Sequence, residues 1–390
     1  MKQILPELKE LNKHLAFVKQ AFSRRGFRHV VQYVDGLITL NKKTAKKISE
    51  ASVEENHHSA LSRLLTEASF KQEQLEQRYL KKIKYLTKGI KISLLFDDTL
   101  VERNGKKVEE AQRHFNHSED EFISGHQFFT SLIHTPVLQL PLSPRLYSKN
   151  TDSKIEMANE LIDKVLETVH IDSVLFDSWY SDKKLIKKCM SKKVKVVCAI
   201  KTNTLISLKK GEWQELSTFS KNINVENLEN YFIDEEKYKI GEYKVKLNGV
   251  PTIKMLISHQ WDEKEKKWMT PFHLISTNTK DTPIQIIRQY STRWFIETFH
   301  RDIKQNLGFA TVFMRKKTGI VRHAIFVALA YAILKLFMFI RGMTMTIGEC
   351  CTHIQDKGMN DFIREIVEIE DTTTRINYFE EVFIRETAKV

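Results

Sequence analysis

Tyr290-Ser-Thr-Arg293-Trp294-Phe-Ile-Glu297-Thr-Phe-His-Arg301-Asp-Ile-Lys304 is the stretch on which the reading of this chain turns. At about 100° per residue, Tyr290, Arg293, Glu297 and Lys304 fall within roughly 60° of one another on a helix. Phe295, Phe299, Ile303 and Leu307 share the other side, the face that would pack on a sheet. Arg301 and Trp294 flank the polar stripe. A solvated face mixes in Lys and Gln freely; here one acid is bracketed by bases and a phenol.

Upstream, two apolar runs end in acid. Ile92-Ser-Leu-Leu-Phe-Asp-Asp98 and Ser173-Val-Leu-Phe-Asp177 both read as buried strands. A carboxylate at the end of a buried strand costs desolvation unless something neutralises it, and a divalent cation is the usual reason. For Asp98 (or Asp97) alone, and for Asp177 alone, an ordinary exposed strand end is the better reading. The helix changes this, because three carboxylates from two strands and a helix can hold two Mg²⁺ ions. One ion would activate water or a 3′-hydroxyl and the other would stabilise the leaving oxygen, with Arg and Lys clamping phosphates.

The rest of the chain supplies a frame for such a site. Residues 1–86 read as short helices, with Leu5, Leu8, Leu11 and Leu15 at helical spacing, Thr44 and Ser59 at helix starts, and a capping-box pattern at Ser69–Gln72. Lys42, Lys43, Lys46 and Lys47 cluster between two of them. A helix-turn-helix-like DNA-binding domain and a plain bundle with a basic face fit this segment equally. From residue 87 the period changes: strands at 92–98 and 122–137 around an Asn104-Gly105 turn, a helix at 153–169, a strand at 173–177, a helix at 182–190 and a strand at 194–200. That is a mixed sheet flanked by helices. Residues 203–285 depart from the rhythm as an antiparallel, β-rich insert. Helices return over 282–345, and the tail, 346–390, reads as helical at 360–369 and 374–387. The expected division is therefore 1–86, 87–202, 203–285, 286–345 and 346–390.

Charge points the same way. The 390 residues carry 62 Lys/Arg against 49 Asp/Glu, a net +13, and residues 1–86 hold a surplus of eight of those charges. A polyanion, nucleic acid first, is the partner such a balance suggests. With 42% hydrophobic and 28% charged residues the chain can bury a core, which excludes wholesale disorder and a disulfide scaffold. The four cysteines form no CxxC pair, so free thiols in a reducing, intracellular compartment are expected. The apolar run 324–334 is too short to span a membrane and reads as a buried core helix. His114, His117 and His126 read as surface or hairpin-loop histidines, Arg103, Lys106, Lys107 and Arg113 as basic hairpin-tip residues. No Gly-rich phosphate loop is present, so no nucleotide cofactor is expected.

Tyr290-x2-Arg293-x3-Glu297-x6-Lys304 matches the signature of the insertion-sequence-four family of DDE transposases, and the chain resembles that family over roughly residues 87–345. Phe96-Asp-Asp98-Thr99 resembles its first aspartate motif and Leu175-Phe-Asp177-Ser its second. The resemblance implies an RNase H-like catalytic core with a β-strand insertion, an N-terminal helical DNA-binding domain carrying Lys43, Lys46 and Lys47, and a helical C-terminal segment used in dimerisation. It implies cut-and-paste transposition through a hairpin intermediate, in bacterial or archaeal cytoplasm at the nucleoid. Asp98, Asp177 and Glu297 would be the catalytic, metal-binding triad, for two Mg²⁺ (or Mn²⁺) ions. Strand alternation puts Asp98 with Ile92, Leu94 and Phe96, leaving Asp97 in support. Tyr290, Arg293, Lys304 and Arg301 would contact double-stranded DNA. Trp294, with Trp268 or Trp261 in the insert, would be platforms for a flipped base. A homodimer holding two transposon ends and target DNA follows. Two other readings remain: a catalytically idle, transposase-derived DNA-binding protein, and an RNase H-like nuclease that does not join strands.

Overall fold

The computed structural model describes residues 8–52, 58–103, 105, 107–116, 120–311 and 314–377; Leu5, Asn104, Lys106, His117 and the tail helix beyond 377 lie outside the described residues. The chain opens with α1 (Lys9–Asn12), a 3₁₀ segment (Lys13–Ala21), α2 (Arg24–Thr39), α3 (Ala45–Ala51), α4 (His58–Thr66) and α5 (Gln72–Leu86). The Thr44 hydroxyl accepts from the Lys47 amide and starts α3. The box expected at Ser69 does not form: α5 starts at Gln72, and its N-cap, Lys71, offers no side-chain bond.

Three strands follow, β1 (Ser93–Glu102), β2 (Gln112–Asn116) and β3 (Glu121–His134), with β4 (Gln139–Pro141) and β5 (Arg145–Tyr147) returning along β3. The chain then crosses through α6 (Lys154–Leu166) to β6 (Ser173–Phe176), parallel to β1, and through α7 (Lys183–Ser191) to β7 (Lys195–Ala199), parallel to β6. A Ser153–Glu156 capping box opens α6. The path β2-β3-β1-β6-β7, with β4 and β5 also paired to β3, and with β1, β6 and β7 parallel, is the mixed sheet flanked by helices that the sequence predicts.

The β-rich insert comprises β8 (Leu205–Ser207), β9 (Gln214–Glu215), a short α8 (Leu216–Lys221), β10 (Glu229–Ile233), β11 (Glu236–Leu247), β12 (Ile253–Asp262), β13 (Lys267–Trp268) and β14 (Phe272–Ser276). It extends the same sheet, because β14 docks antiparallel on β7 with Leu274 opposite Ala199. The described chain then runs through α9 (Pro283–Ser291), α10 (Trp294–Asn306), α11 (Lys317–Arg341) and α12 (Ile347–Val367), with a further helical stretch at 372–377.

Strand alternation divides the core between the two faces of the sheet. Leu94, Phe96, Val174, Phe176, Val196 and Cys198 join α6 and α7 residues such as Ala158, Leu161 and Leu185. Leu95, Leu175, Val197 and Ala199 join Ile296, Phe299 and Ile303 of α10 and the bulk of α11. The long helix α11 is apolar enough to cross a membrane by length and composition, yet 83% of its most apolar window is buried inside the protein. Leu15, Val34, Leu37, Leu61 and Leu65 of the N-terminal helices pack in the same cluster as Phe326, Val327 and Ala330. A buried bond of 2.8 Å between Tyr33 Oη and His323 Nδ1 ties α2 to α11. The described part of residues 1–86 therefore shares the core of α11 instead of closing a separate one.

The signature helix is broken. Arg293 N–H donates to Tyr290 O, Phe295 N–H to Thr292 O and Ile296 N–H to Arg293 O. These i→i+3 bonds wind the joint between α9 and α10 more tightly than an α-helix and offset everything downstream. Ile296, not Phe295, is buried with Phe299, Ile303 and Leu307, while Phe295 stays 39% exposed and stacks on His134 with ring centroids 4.6 Å apart.

Candidate active site

Parallel pairing brings two acids together. Leu95 lies opposite Leu175, so Asp97 and Asp177, two residues on, project from the same face as those leucines, towards α10. Asp177 caps the short 3₁₀ turn Ser178–Tyr180, its Oδ1 accepting from Trp179 N–H at 3.0 Å and Tyr180 N–H at 3.4 Å. Asp97 Oδ1 accepts the Asp98 amide at 2.8 Å. From α10, Arg293 Nη1 lies 3.3 Å from Asp97 Oδ2 while its other terminal nitrogen pairs with Glu297, one turn on. Burial, and then the charges of Asp177 and Asp98, push the Asp97 carboxyl up to about 7. Burial also raises Asp177.

Asp98 is the correction. The alternation that groups it with Leu94 and Phe96 holds, but that face packs on α6. It is Asp97 that Arg293 links to Glu297, while Asp98 stays near enough for its charge to raise Asp177. Its Oδ1 takes Lys154 Nζ at 2.9 Å and the Tyr180 hydroxyl at 3.1 Å, and its Oδ2 accepts from Gln127. Lys154 is only 8% exposed at its side chain, so Asp98 is the counter-ion of a buried lysine. Sequence order could not separate the two neighbours, because the periodicity of a strand says which residues share a face and not which layer covers it.

The other expected residues scatter. Tyr290 packs against Phe272 at 5.5 Å, under the Arg293 guanidinium at 5.6 Å, and burial raises its hydroxyl to about 12. Lys304 is half-buried, makes no ion pair among the described residues, and is lowered by that burial. Trp294 is 62% exposed and Arg301 is exposed. Trp268 and Trp261 form an edge-to-face pair at 5.0 Å in the hairpin of the insert, with Lys239 Nζ 5.5 Å from the Trp268 ring. Lys46 and Lys47 are exposed and pair with Glu50. Lys43 is turned inward: its ammonium donates to Leu37 O at 2.6 Å and to Leu40 O, closing the C-terminal end of α2, and burial lowers it to about 8. His114 and His126 are buried, not at the surface, and His126 bonds Glu109 O at 2.9 Å. All four cysteines are free.

Sequence reasoning missed one link. His300 Nε2 lies 2.6 Å from Thr130 Oγ1, which donates to Asp97 O at 3.0 Å, so α10 is pinned to β1 beside the acid. Nothing in the spacing of Thr130 and His300 announces this.

Among the described residues no three His, Cys, Asp or Glu side chains come close enough to hold a metal ion, and Arg293 stands between Asp97 and Glu297 as the local positive charge. The donor set still fits a hard divalent cation: carboxylate oxygens only, two of them on carboxyls that burial holds above their usual range.

A family model for the transposase DDE domain matches residues 88–333, from just ahead of β1 into α11. The chain belongs to the DDE transposase family. Among solved structures, the transposase is similar to a piggyBac transposase synaptic complex with hairpin DNA, at TM-score 0.50 and 12% identity over 98% of this chain and 84% of that one. At that identity the likeness speaks for the fold. A Drosophila P element transposase strand transfer complex aligns at TM-score 0.18 and 8% identity, over 76% of this chain and 77% of that one, too loosely to bear on anything here. No curated protein sequence matches the chain.

Proposed function

We propose that this transposase carries out metal-dependent cut-and-paste transposition of the insertion-sequence-four type, with Asp97, Asp177 and Glu297 as its three acids. The observation that carries the reading is the meeting of Asp97 and Asp177, on parallel strands, with Glu297 through Arg293. Bound there, two Mg²⁺ (or Mn²⁺) ions would supply activation of water or a 3′-hydroxyl and stabilisation of the leaving oxygen. The chain's own groups do the rest. Lys304 and the exposed Arg301 hold backbone phosphates on the α10 side. Tyr290 and Arg293 line the acids. Trp294 offers an open ring beside them, and the Trp261–Trp268 pair offers a second aromatic surface on the insert. Lys46 and Lys47 remain basic contacts at the N-terminal helices. The substrate is double-stranded DNA, transposon ends and target, held by a homodimer without a nucleotide cofactor, in bacterial or archaeal cytoplasm at the nucleoid.

The test is incubation of purified protein with labelled duplexes made from the DNA flanking its own gene, in Mg²⁺. Nicking, hairpin and strand-transfer products should be lost in Asp97→Ala, Asp177→Ala and Glu297→Ala while DNA binding survives, and should persist in Asp98→Asn. Binding without cleavage by the wild type in Mg²⁺ or Mn²⁺ would replace this reading with an idle DNA-binding protein; cleavage without joining would replace it with a nuclease.

A further inference from the structure

Two residues beyond Asp177, Trp179 leaves 41% of its surface open to solvent in an otherwise well-buried stretch. An indole in that position is held, not loose. Its backbone amide is fixed to Asp177 Oδ1 at 3.0 Å. Its ring rests edge-on against Tyr180, centroids 4.8 Å apart and planes at 70°, and Tyr180 is in turn anchored by its hydroxyl to Asp98. Two ammonium groups attend the ring: Lys154 Nζ at 4.1 Å from its centroid and Lys201 Nζ at 6.0 Å. Lys154 belongs to the buried pair with Asp98, but Lys201 is exposed and has no carboxylate partner among the described residues.

A half-open aromatic held in place, with an exposed lysine ammonium 6.0 Å from its centroid and two residues from a buried acid, suits one nucleotide of a nucleic-acid strand. The base stacks on the ring while its phosphate meets the lysine. We propose that Trp179 is a stacking platform for one unpaired base of the DNA strand that lies at Asp97 and Asp177, and that Lys201 contacts the phosphate of that nucleotide. This deepens the DNA-transposing reading and rests on it.

The experiment is fluorescence anisotropy of the full chain in EDTA, where no cleavage occurs. The probes are a labelled thymidylate dodecamer and an abasic dodecamer of the same charge. The wild type should prefer the strand with bases. Trp179→Ala should erase about tenfold of that preference, Trp179→Phe should keep most of it, and Trp213→Ala, at an exposed tryptophan on the sheet edge, should leave it unchanged. Lys201→Gln should weaken both strands alike and reduce the salt slope by about one. A Trp179→Ala protein with wild-type melting and an undiminished preference overturns the platform. So does an equal loss in Trp213→Ala. Failure of the wild type to bind either strand overturns the DNA reading beneath it as well, whereas cleavage of duplex by a protein whose base preference ignores Trp179 overturns the platform alone.

Discussion

Asp97 and Asp98 are neighbours in sequence and opposites in energetics, and a pair of isosteric substitutions separates them. Asp98 is 18% exposed at its side chain and faces a lysine that is 8% exposed, at 2.9 Å. Asp98→Asn removes the negative charge and strands a buried ammonium, a loss of about 3 kcal/mol. At about 2.1 cal/mol/K per residue, the 390-residue chain has an unfolding entropy of ~0.8 kcal/mol/K, so Tm should fall by about 4 °C. Adding Lys154→Met to Asp98→Asn removes the stranded charge and should recover most of that loss. Asp97→Asn goes the other way. Burial and two neighbouring carboxylates disfavour its charge, so its neutral isostere should leave Tm unchanged or raise it, while activity should be lost. Calorimetric or fluorescence melts at neutral pH in EDTA measure all four proteins. An Asp98→Asn variant that melts with the wild type, or an Asp97→Asn variant that loses as much as Asp98→Asn, would refute the assignment of the two faces.

Three further outcomes are expected. Arg293→Gln removes the cation that stands between Asp97 and Glu297, so the melting temperature should respond to Mn²⁺ at about tenfold lower concentration than in the wild type, ~1.4 kcal/mol of lost competition; an unchanged titration would count against a metal at these acids. His323 is pulled by burial from 6.5 down to about 4. Between those pH values the unfolded chain binds a proton that the native chain refuses, so stability should fall by up to about 3 kcal/mol as the pH drops through that window, and His323→Gln should flatten the fall in denaturant melts. A Cβ on Gly125 would sit 2.3 Å from Val101 O, so Gly125→Ala must part β1 from β3 and should cost the protein its soluble expression or several degrees of Tm, read by thermal melt.

Much of the site was legible because its chemistry is written in local periods. Apolar alternation marked β1 and β6 and the acids at their ends, and capping residues such as Ser153 and Thr282 marked the helices between and beyond them. The joint at Thr292–Arg293 was not legible, since the residues there carry no breaker, and only the packing of α9 on β14 and α10 on the sheet sets where the turn tightens. Nor was the use of Lys43, whose charge looks available until α2 ends against it.

What the sequence determined by itself is the set of residues on each face of each element: the polar stripe with Glu297, the apolar stripes of the strands, the all-round apolar surface of α11. These follow from backbone periods of two and 3.6, which need no partner. What only the tertiary structure decided is which layer each face meets. The parallel register of β1 on β6 turns Asp97 and Asp177 towards α10 and hands Asp98 to Lys154 on the far side, because both sides of a sheet covered by helices are equally apolar in sequence.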